Sequence, residues 1–382
     1  MKRISTLILA ALLLAAAIPA AGAEEAGGLS LSCASALLME KETGTVLYDQ
    51  NSHQQLEPAS VTKIMTLLLV MEALDDGRLT PDDMVTVSAN AAGMGGSQVY
   101  LKEGEQMPVS ELIKCVTVVS GNDCAVALAE HLYGSEGAFV AEMNRKAQEL
   151  GMADTNFVNC TGLPADGHVT TAYDIALMSR ELILNHPDIR DYTTIWMDSI
   201  RDGTFGLTNT NRLIRFYEGA TGLKTGSTDS ALYCMSATAE RDGMELIAVI
   251  MKAPTSAQRF EDAKALLDYG FANYTLVNVY PETPLAPVDV LLGTTAQVQP
   301  QLKEDCRLLV EKRQADQVTT KVTIAQDVEA PVDQGQTLGQ LEVYVGGELQ
   351  KTIPIVSAQG VDRLTVPGIF SRMLRQLLMA EG

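Results

Sequence analysis

The chain has 382 residues, 46% of them hydrophobic, and a net charge of −20 from 48 acidic and 28 basic side chains. That length exceeds one average domain and falls short of three, and the apolar share suffices for a sizeable core. The acidic balance argues against binding nucleic acid through a phosphate-neutralising surface.

Lys2 and Arg3 precede an apolar run over residues 7–18, and Ala21-Gly22-Ala23 offers small residues for cleavage. The pattern predicts a signal peptide over 1–23, with Glu24 as the first mature residue and a site of action outside the cytoplasmic membrane. Cys33, Cys115, Cys124, Cys160, Cys234 and Cys306 are scattered, with no CxxC or Cys/His cluster. Neither a disulfide scaffold nor a metal site is therefore expected, and buried free thiols are.

Residues 34–49 read as a β-hairpin turning at Glu42-Thr43-Gly44. After Ser60 the apolar positions Ile64, Leu67, Leu68 and Met71 recur at helical spacing. Further helix signals fill 109–133, 137–150 and 171–184. Strands are predicted near 232–239 and 246–252, joined by a turn at Gly243, and a helix over 257–274. Strands, a helical block, strands and a helix predict an α+β domain whose sheet is completed by distant parts of the chain. From about 277 to 357, short β-rich runs between Gly, Pro, Asp and Asn predict a small all-β domain. In the tail, "VPGIFSRMLRQLLM" places Ile369, Phe370, Met373, Leu374, Leu377 and Leu378 on one helical face, with Ser371, Arg372, Arg375 and Gln376 opposite. Such a helix can lie in a membrane interface, its arginines meeting anionic headgroups, or dock on its own domain; the first is preferred. The expected organisation is signal peptide 1–23, catalytic domain 24–276, all-β domain 277–360 and amphipathic helix 361–382.

Three polar motifs interrupt these elements. In "PASVTKIMT", Ser60 and Lys63 lie three residues apart before an apolar run. A helix beginning at the serine puts both on one face, and burial lets a lysine lose its charge and take the hydroxyl proton. In "VVSGNDCAVALAE", Ser120 and Asn122 flank a glycine before a helix. They suit a second hydroxyl for proton transfer and an amide for a substrate carbonyl, or else a helix cap. In "GLKTGSTDS", Lys224 and Thr225 suit a substrate carboxylate, and Gly226 a close backbone approach, on an edge strand. His53, His131, His168 and His186 stand apart, so no histidine-based triad is expected. His168 reads as a structural loop residue near the site.

SxxK, SxN and KTG in this order are far more specific than any one of them. The chain resembles the low-molecular-mass penicillin-binding proteins that are D-alanyl-D-alanine carboxypeptidases, from about Ala34 to Tyr274 and more loosely beyond. "GMGGSQVYLKEGE" (93–105), "TNFVNCTGLPADGHVTTAYDIALMSREL" (155–182) and "TNTNRLI" (208–214) carry the likeness further. The resemblance implies a β-lactamase/transpeptidase-like catalytic domain. It implies that Ser60 attacks the bond between two D-alanines, Lys63 takes its proton, and Ser120 relays a proton. Asn122, Lys224, Thr225 and Gly226 would bind substrate, and the backbone N–H groups of Ser60 and Ser227 would form the oxyanion hole. Position 227 is often histidine or threonine in that family; here it is serine. The implied partners are peptidoglycan stem peptides, β-lactam antibiotics as inhibitors and, through the tail, the outer surface of the cytoplasmic membrane. No cofactor, metal or nucleic acid is implied.

Two alternatives remain: a secreted β-lactamase and a non-catalytic penicillin-binding sensor. Glu181 to Asn185 spells a lactamase-like E-x-x-L-N, but inside a helical pattern about sixty residues past SGN, which argues against it.

Overall fold

The structure, a computed structural model, describes residues 29–379. The expected signal peptide lies outside the described residues. Strands β1 (Ser35–Glu40) and β2 (Val46–Gln50) form the first hairpin, and the tight turn between them uses Gly44 at φ +70°. Chain positions far beyond complete this sheet: β3 (Ala220–Thr228), β4 (Leu232–Arg241) and β5 (Met244–Ala253). The order is β2-β1-β5-β4-β3, with antiparallel neighbours throughout. β1 thus pairs with the last strand of the sheet, and β3 lies at its far edge.

The helical block is α1 (Lys63–Asp75), α2 (Val109–Val118), α3 (Asn122–Tyr133), α4 (Glu136–Glu149) and α5 (Ala172–Asn185). Ten of α1's thirteen residues are buried. A helix apolar on every side must be wrapped by others, and α1 is the axis on which the domain packs. Leu67, Leu68, Leu69 and Val70 are all but inaccessible to solvent, each side chain contributing about 1.5–3 kcal/mol by leaving water. The helix signals over 109–133 resolve into α2 and α3, parted at residues 119–121, where Ser120 takes φ +64°. Helix α6 (Ser256–Asn273) packs behind β4 and β5.

The expected boundary at 276/277 falls inside a strand. β6 (Tyr274–Val279) follows α6 with no linker and pairs with β9 (Cys306–Glu311). β7 (Val288–Leu291) centres a small three-stranded sheet, and β8 (Pro300–Leu302), β10 (Val318–Ile324), β11 (Thr337–Val345) and β12 (Glu348–Ser357) form another in the order β8-β12-β11-β10. This is the all-β module foreseen, with its own core of Leu341, Val343, Ile353 and Ile355. The tail forms α7 (Val366–Met379). Val366, Phe370 and Met373 on it are 80%, 69% and 59% exposed, which argues against docking on the all-β module. The side chains of its anticipated polar face, and of Leu377 and Leu378, lie outside the described ones. All six cysteines are buried and unpaired.

Candidate active site

The serine does not begin an α-helix. Residues Ala59–Thr62 form a 3-10 turn, and α1 starts at Lys63. A 3-10 turn has three residues per turn, so side chains at i and i+3 eclipse. Ser60 and Lys63 therefore superpose more directly than an α-helical turn would allow, and Lys63 Nζ lies 3.1 Å from Ser60 Oγ.

Lys63 is fully buried. Its Nζ donates to Asn122 Oδ1 (2.6 Å) and to the Thr161 carbonyl (2.7 Å). Those acceptors match the two N–H bonds of a neutral amine, leaving a lone pair for Ser60 Oγ. Among the described residues no carboxylate lies within 4.0 Å of the amine, and burial pulls its pKa down to about 7. The lysine is poised to accept a proton near neutrality.

Asn122 opens α3 and is clamped at three points. Its side chain meets Lys63 and donates from Nδ2 to the Gly95 carbonyl (2.7 Å), and its backbone N–H donates to the Ser97 carbonyl (2.7 Å). The neighbouring Asp123 carboxylate accepts from the N–H groups of Val99 and Leu101 (3.0 Å each). Together they lash the 93–105 loop onto the site. Ser120 does not cap α3; Gly121 is the cap residue, without a side-chain bond. The left-handed backbone at Ser120, costing of order 1 kcal/mol for a non-glycine residue, turns its hydroxyl to Lys224 Nζ (2.9 Å).

Lys224, Thr225 and Gly226 lie on edge strand β3, as expected. Lys224 is 1% exposed; burial first, then the charges of Lys63 and Arg259, push its pKa well below the lysine range. Thr225 Oγ1 donates to Thr210 Oγ1 (2.8 Å). Gly226 also meets backbone of this chain. A Cβ there would stand 2.8 Å from Ser60 N, 2.9 Å from Val61 N and 3.0 Å from the Pro58 carbonyl. The glycine admits the protein's own nucleophile turn, so its tight neighbour is backbone of this chain. Ser227 follows at the exposed end of the motif.

Residues 21–255 match the family described as D-alanyl-D-alanine carboxypeptidase, and residues 274–363 match the C-terminal domain of penicillin-binding protein 5. This chain belongs to the D-alanyl-D-alanine carboxypeptidase family. The D-alanyl-D-alanine carboxypeptidase DacF of Bacillus subtilis is 40% identical over 372 residues, 95% of each chain. Penicillin-binding protein 5 of Haemophilus influenzae superposes with a TM-score of 0.75 at 28% identity, covering 88% of this chain and 99% of that one. Penicillin-binding protein D2 of Listeria monocytogenes, solved with ampicillin bound, gives 0.59 at 35% identity, covering 64% and 99%. The protein is a serine-type carboxypeptidase, a hydrolase acting in cell-wall chemistry.

In this carboxypeptidase three segments remote in sequence converge, around Ser60/Lys63, Ser120/Asn122 and Lys224/Thr225. The sequence reading missed several supports. Thr161 supplies a carbonyl to Lys63. Gly162, at φ +83°, lies so close that a Cβ would sit 1.8 Å from the Ala59 carbonyl. Arg259, 6% exposed, donates from Nη1 to the carbonyls of Gly226 (3.1 Å) and Cys234 (3.3 Å), bracing β3 from behind. Its place four residues before Ala263, on the buried face of α6, was the available signal. His168 is structural, as read: its Nδ1 accepts from Val158 N (3.1 Å), so Nε2–H donates to Thr62 Oγ1 (2.8 Å) in the nucleophile turn. Glu181 accepts from Asn185 within α5 (2.9 Å), an ordinary helical pair.

Proposed function

We propose that this carboxypeptidase removes the terminal D-alanine from peptidoglycan stem peptides through an ester on Ser60, working at the outer surface of the cytoplasmic membrane. The single observation that carries the chemistry is Lys63: a fully buried amine 3.1 Å from a hydroxyl, with no carboxylate within 4.0 Å among the described residues to hold its charge.

Neutral Lys63 takes the Ser60 Oγ proton as Oγ bonds to the carbonyl carbon of the penultimate D-alanine. The backbone N–H groups of Ser60 and Ser227 face the developing oxyanion; one such donor is worth about 3 kcal/mol of barrier. The C–N bond breaks, and Ser120, bridged to Lys224, passes a proton to the departing amine and regains one from the Lys63 ammonium, which returns Lys63 to its neutral form. Water then cleaves the ester and returns the proton to Ser60. Lys224 and Thr225 hold the terminal carboxylate, whose negative charge favours the ammonium form of Lys224. A β-lactam enters the same first step and leaves the serine acylated.

The membrane placement rests on the tail. No described helix is long and apolar enough to cross a bilayer, whereas α7 exposes Val366, Ile369, Phe370, Met373 and Leu374, the pattern of a helix lying in the interface. The signal-peptide pattern of residues 1–23 supports export.

The direct test is D-alanine release from an N-acylated peptide ending in D-Ala-D-Ala. Wild type should release one equivalent of D-alanine per peptide, and Ser60→Ala none. Release by a clean Ser60→Ala preparation would overturn the mechanism.

A further inference from the structure

Eight of the twelve arginines whose side chains the structure describes are ion-paired. Arg78, Arg145, Arg190, Arg201, Arg241, Arg307, Arg313 and Arg363 each meet a carboxylate. Among the described arginines only Arg180, Arg212, Arg215 and Arg259 have no carboxylate within 4.0 Å. Arg180 spends its guanidinium on two backbone carbonyls far from the site. The other three gather around β3.

Their arrangement follows from the segment 209–216. Thr210 accepts the Thr225 hydroxyl, and Asn211 Nδ2 donates to the Gly222 carbonyl (2.9 Å), so this segment is fastened to the edge strand on both sides of Lys224. Arg212 comes next, exposed. A single helical turn, Leu213–Phe216, then carries Arg215, whose guanidinium lies over the rings of Trp196 (5.9 Å) and Phe216 (5.8 Å). Phe216 is itself 67% exposed. Arg259 is buried and committed to backbone, and its charge and that of Arg212 oppose each other. Two exposed cations therefore lie on the segment fastened to the strand of Lys224 and Thr225, with no described carboxylate within 4.0 Å, in a chain carrying twenty excess negative charges.

We infer that Arg212 and Arg215 form a second anion subsite, which selects peptide substrates bearing a carboxylate in addition to the terminal one. The inference rests on the carboxypeptidase reading and deepens it. Trp196 and Phe216 meet edge to face at 73° and border the Arg215 guanidinium on two sides, which narrows the directions its fork can take. The terminal carboxylate occupies Lys224 and Thr225, so the rim is left for a carboxylate on a side chain upstream of the two D-alanines.

Two peptides separate the possibilities: diacetyl-L-Lys-D-Ala-D-Ala, and the same peptide with succinyl in place of acetyl on the lysine side chain, which adds one carboxylate. The wild-type enzyme should show a kcat/KM higher by about threefold to tenfold for the succinyl peptide at low salt, two exposed charge contacts being worth that much. The preference should fade between about 0.01 M and about 1 M salt. Arg212→Gln combined with Arg215→Gln should bring the ratio to near one, and the corresponding lysine pair should restore part of it. Damage to the fold lowers both rates and leaves their ratio alone. Equal rates in wild type, or a preference that survives the double substitution, would overturn the subsite while leaving the carboxypeptidase intact. Absence of D-alanine release from both peptides would overturn the carboxypeptidase reading, and this one with it.

Discussion

Asn122 Oδ1 lies 2.6 Å from Lys63 Nζ, and Asn122 Nδ2 donates to the Gly95 carbonyl. The amide is thus oriented with its oxygen toward the amine, as a neutral acceptor. Lys63 is held near 7 mainly by burial, so the reactive neutral fraction, and the acylation rate, should rise with pH through about 7 and level off above it. Asn122→Asp would place a negative charge against the amine and raise its pKa by one to three units. Acylation by a fluorescent penicillin at pH 7 should then fall by roughly a hundredfold, and the rise should move to higher pH by the same number of units. An unshifted pH profile in the variant would show that Lys63 is not the base.

Gly162 tests how closely the nucleophile turn is packed. Alanine there must adopt φ +83° and place its Cβ 1.8 Å from the Ala59 carbonyl. The strain and the forced backbone shift should together cost more than about 2 kcal/mol. A lowered thermal midpoint and lost penicillin labelling are expected. Gly134→Ala is the control: its φ is +78°, but nothing lies within 4 Å of the added carbon, so only about 1 kcal/mol should be lost and labelling should persist. Equal behaviour of the two variants would remove the packing argument.

His168 should make the fold acid-sensitive. Burial lowers its pKa from 6.5 to about 4, so the unfolded chain binds the proton more readily than the folded one. Stability is then complete above about 6.5 and is lost as pH falls toward 4, by at most about 3 kcal/mol from this residue. His168→Gln should flatten that part of the curve. Urea unfolding of both proteins at neutral and acidic pH gives the comparison, and parallel losses would rule out His168 as the source.

Removing residues 366–382 should abolish co-sedimentation with vesicles containing anionic phospholipid and leave penicillin acylation unchanged, because α7 belongs to no part of the site. Vesicle binding that survives the truncation would place the membrane contact elsewhere.

The pieces of chemistry were legible in the sequence, and their assembly much less so. SxxK before an apolar run, SGN before a helix and KTG before a strand named Ser60, Lys63, Ser120, Asn122, Lys224 and Thr225, because each motif is local. The 3-10 turn was missed because an i, i+3 spacing fits both helix types. The packing of Gly226 on the backbone of Pro58 to Val61 stayed hidden because the two are adjacent only in the folded chain. The same distance hid Thr161 and Gly162. Strands Pro300–Leu302 and Cys306–Glu311 escaped because neither carries the alternation of a half-buried strand over enough residues.

The order β2-β1-β5-β4-β3 has a bearing on biogenesis. A polypeptide emerging N-terminus first exposes its nucleophile early, yet the strand that must press against it arrives some 160 residues later, and β1 must wait for β5 before it is flanked on both sides. Closure of so long a loop is a late and slow event in folding. The newly made chain is therefore catalytically silent, and blind to antibiotic, until almost the whole domain has been delivered.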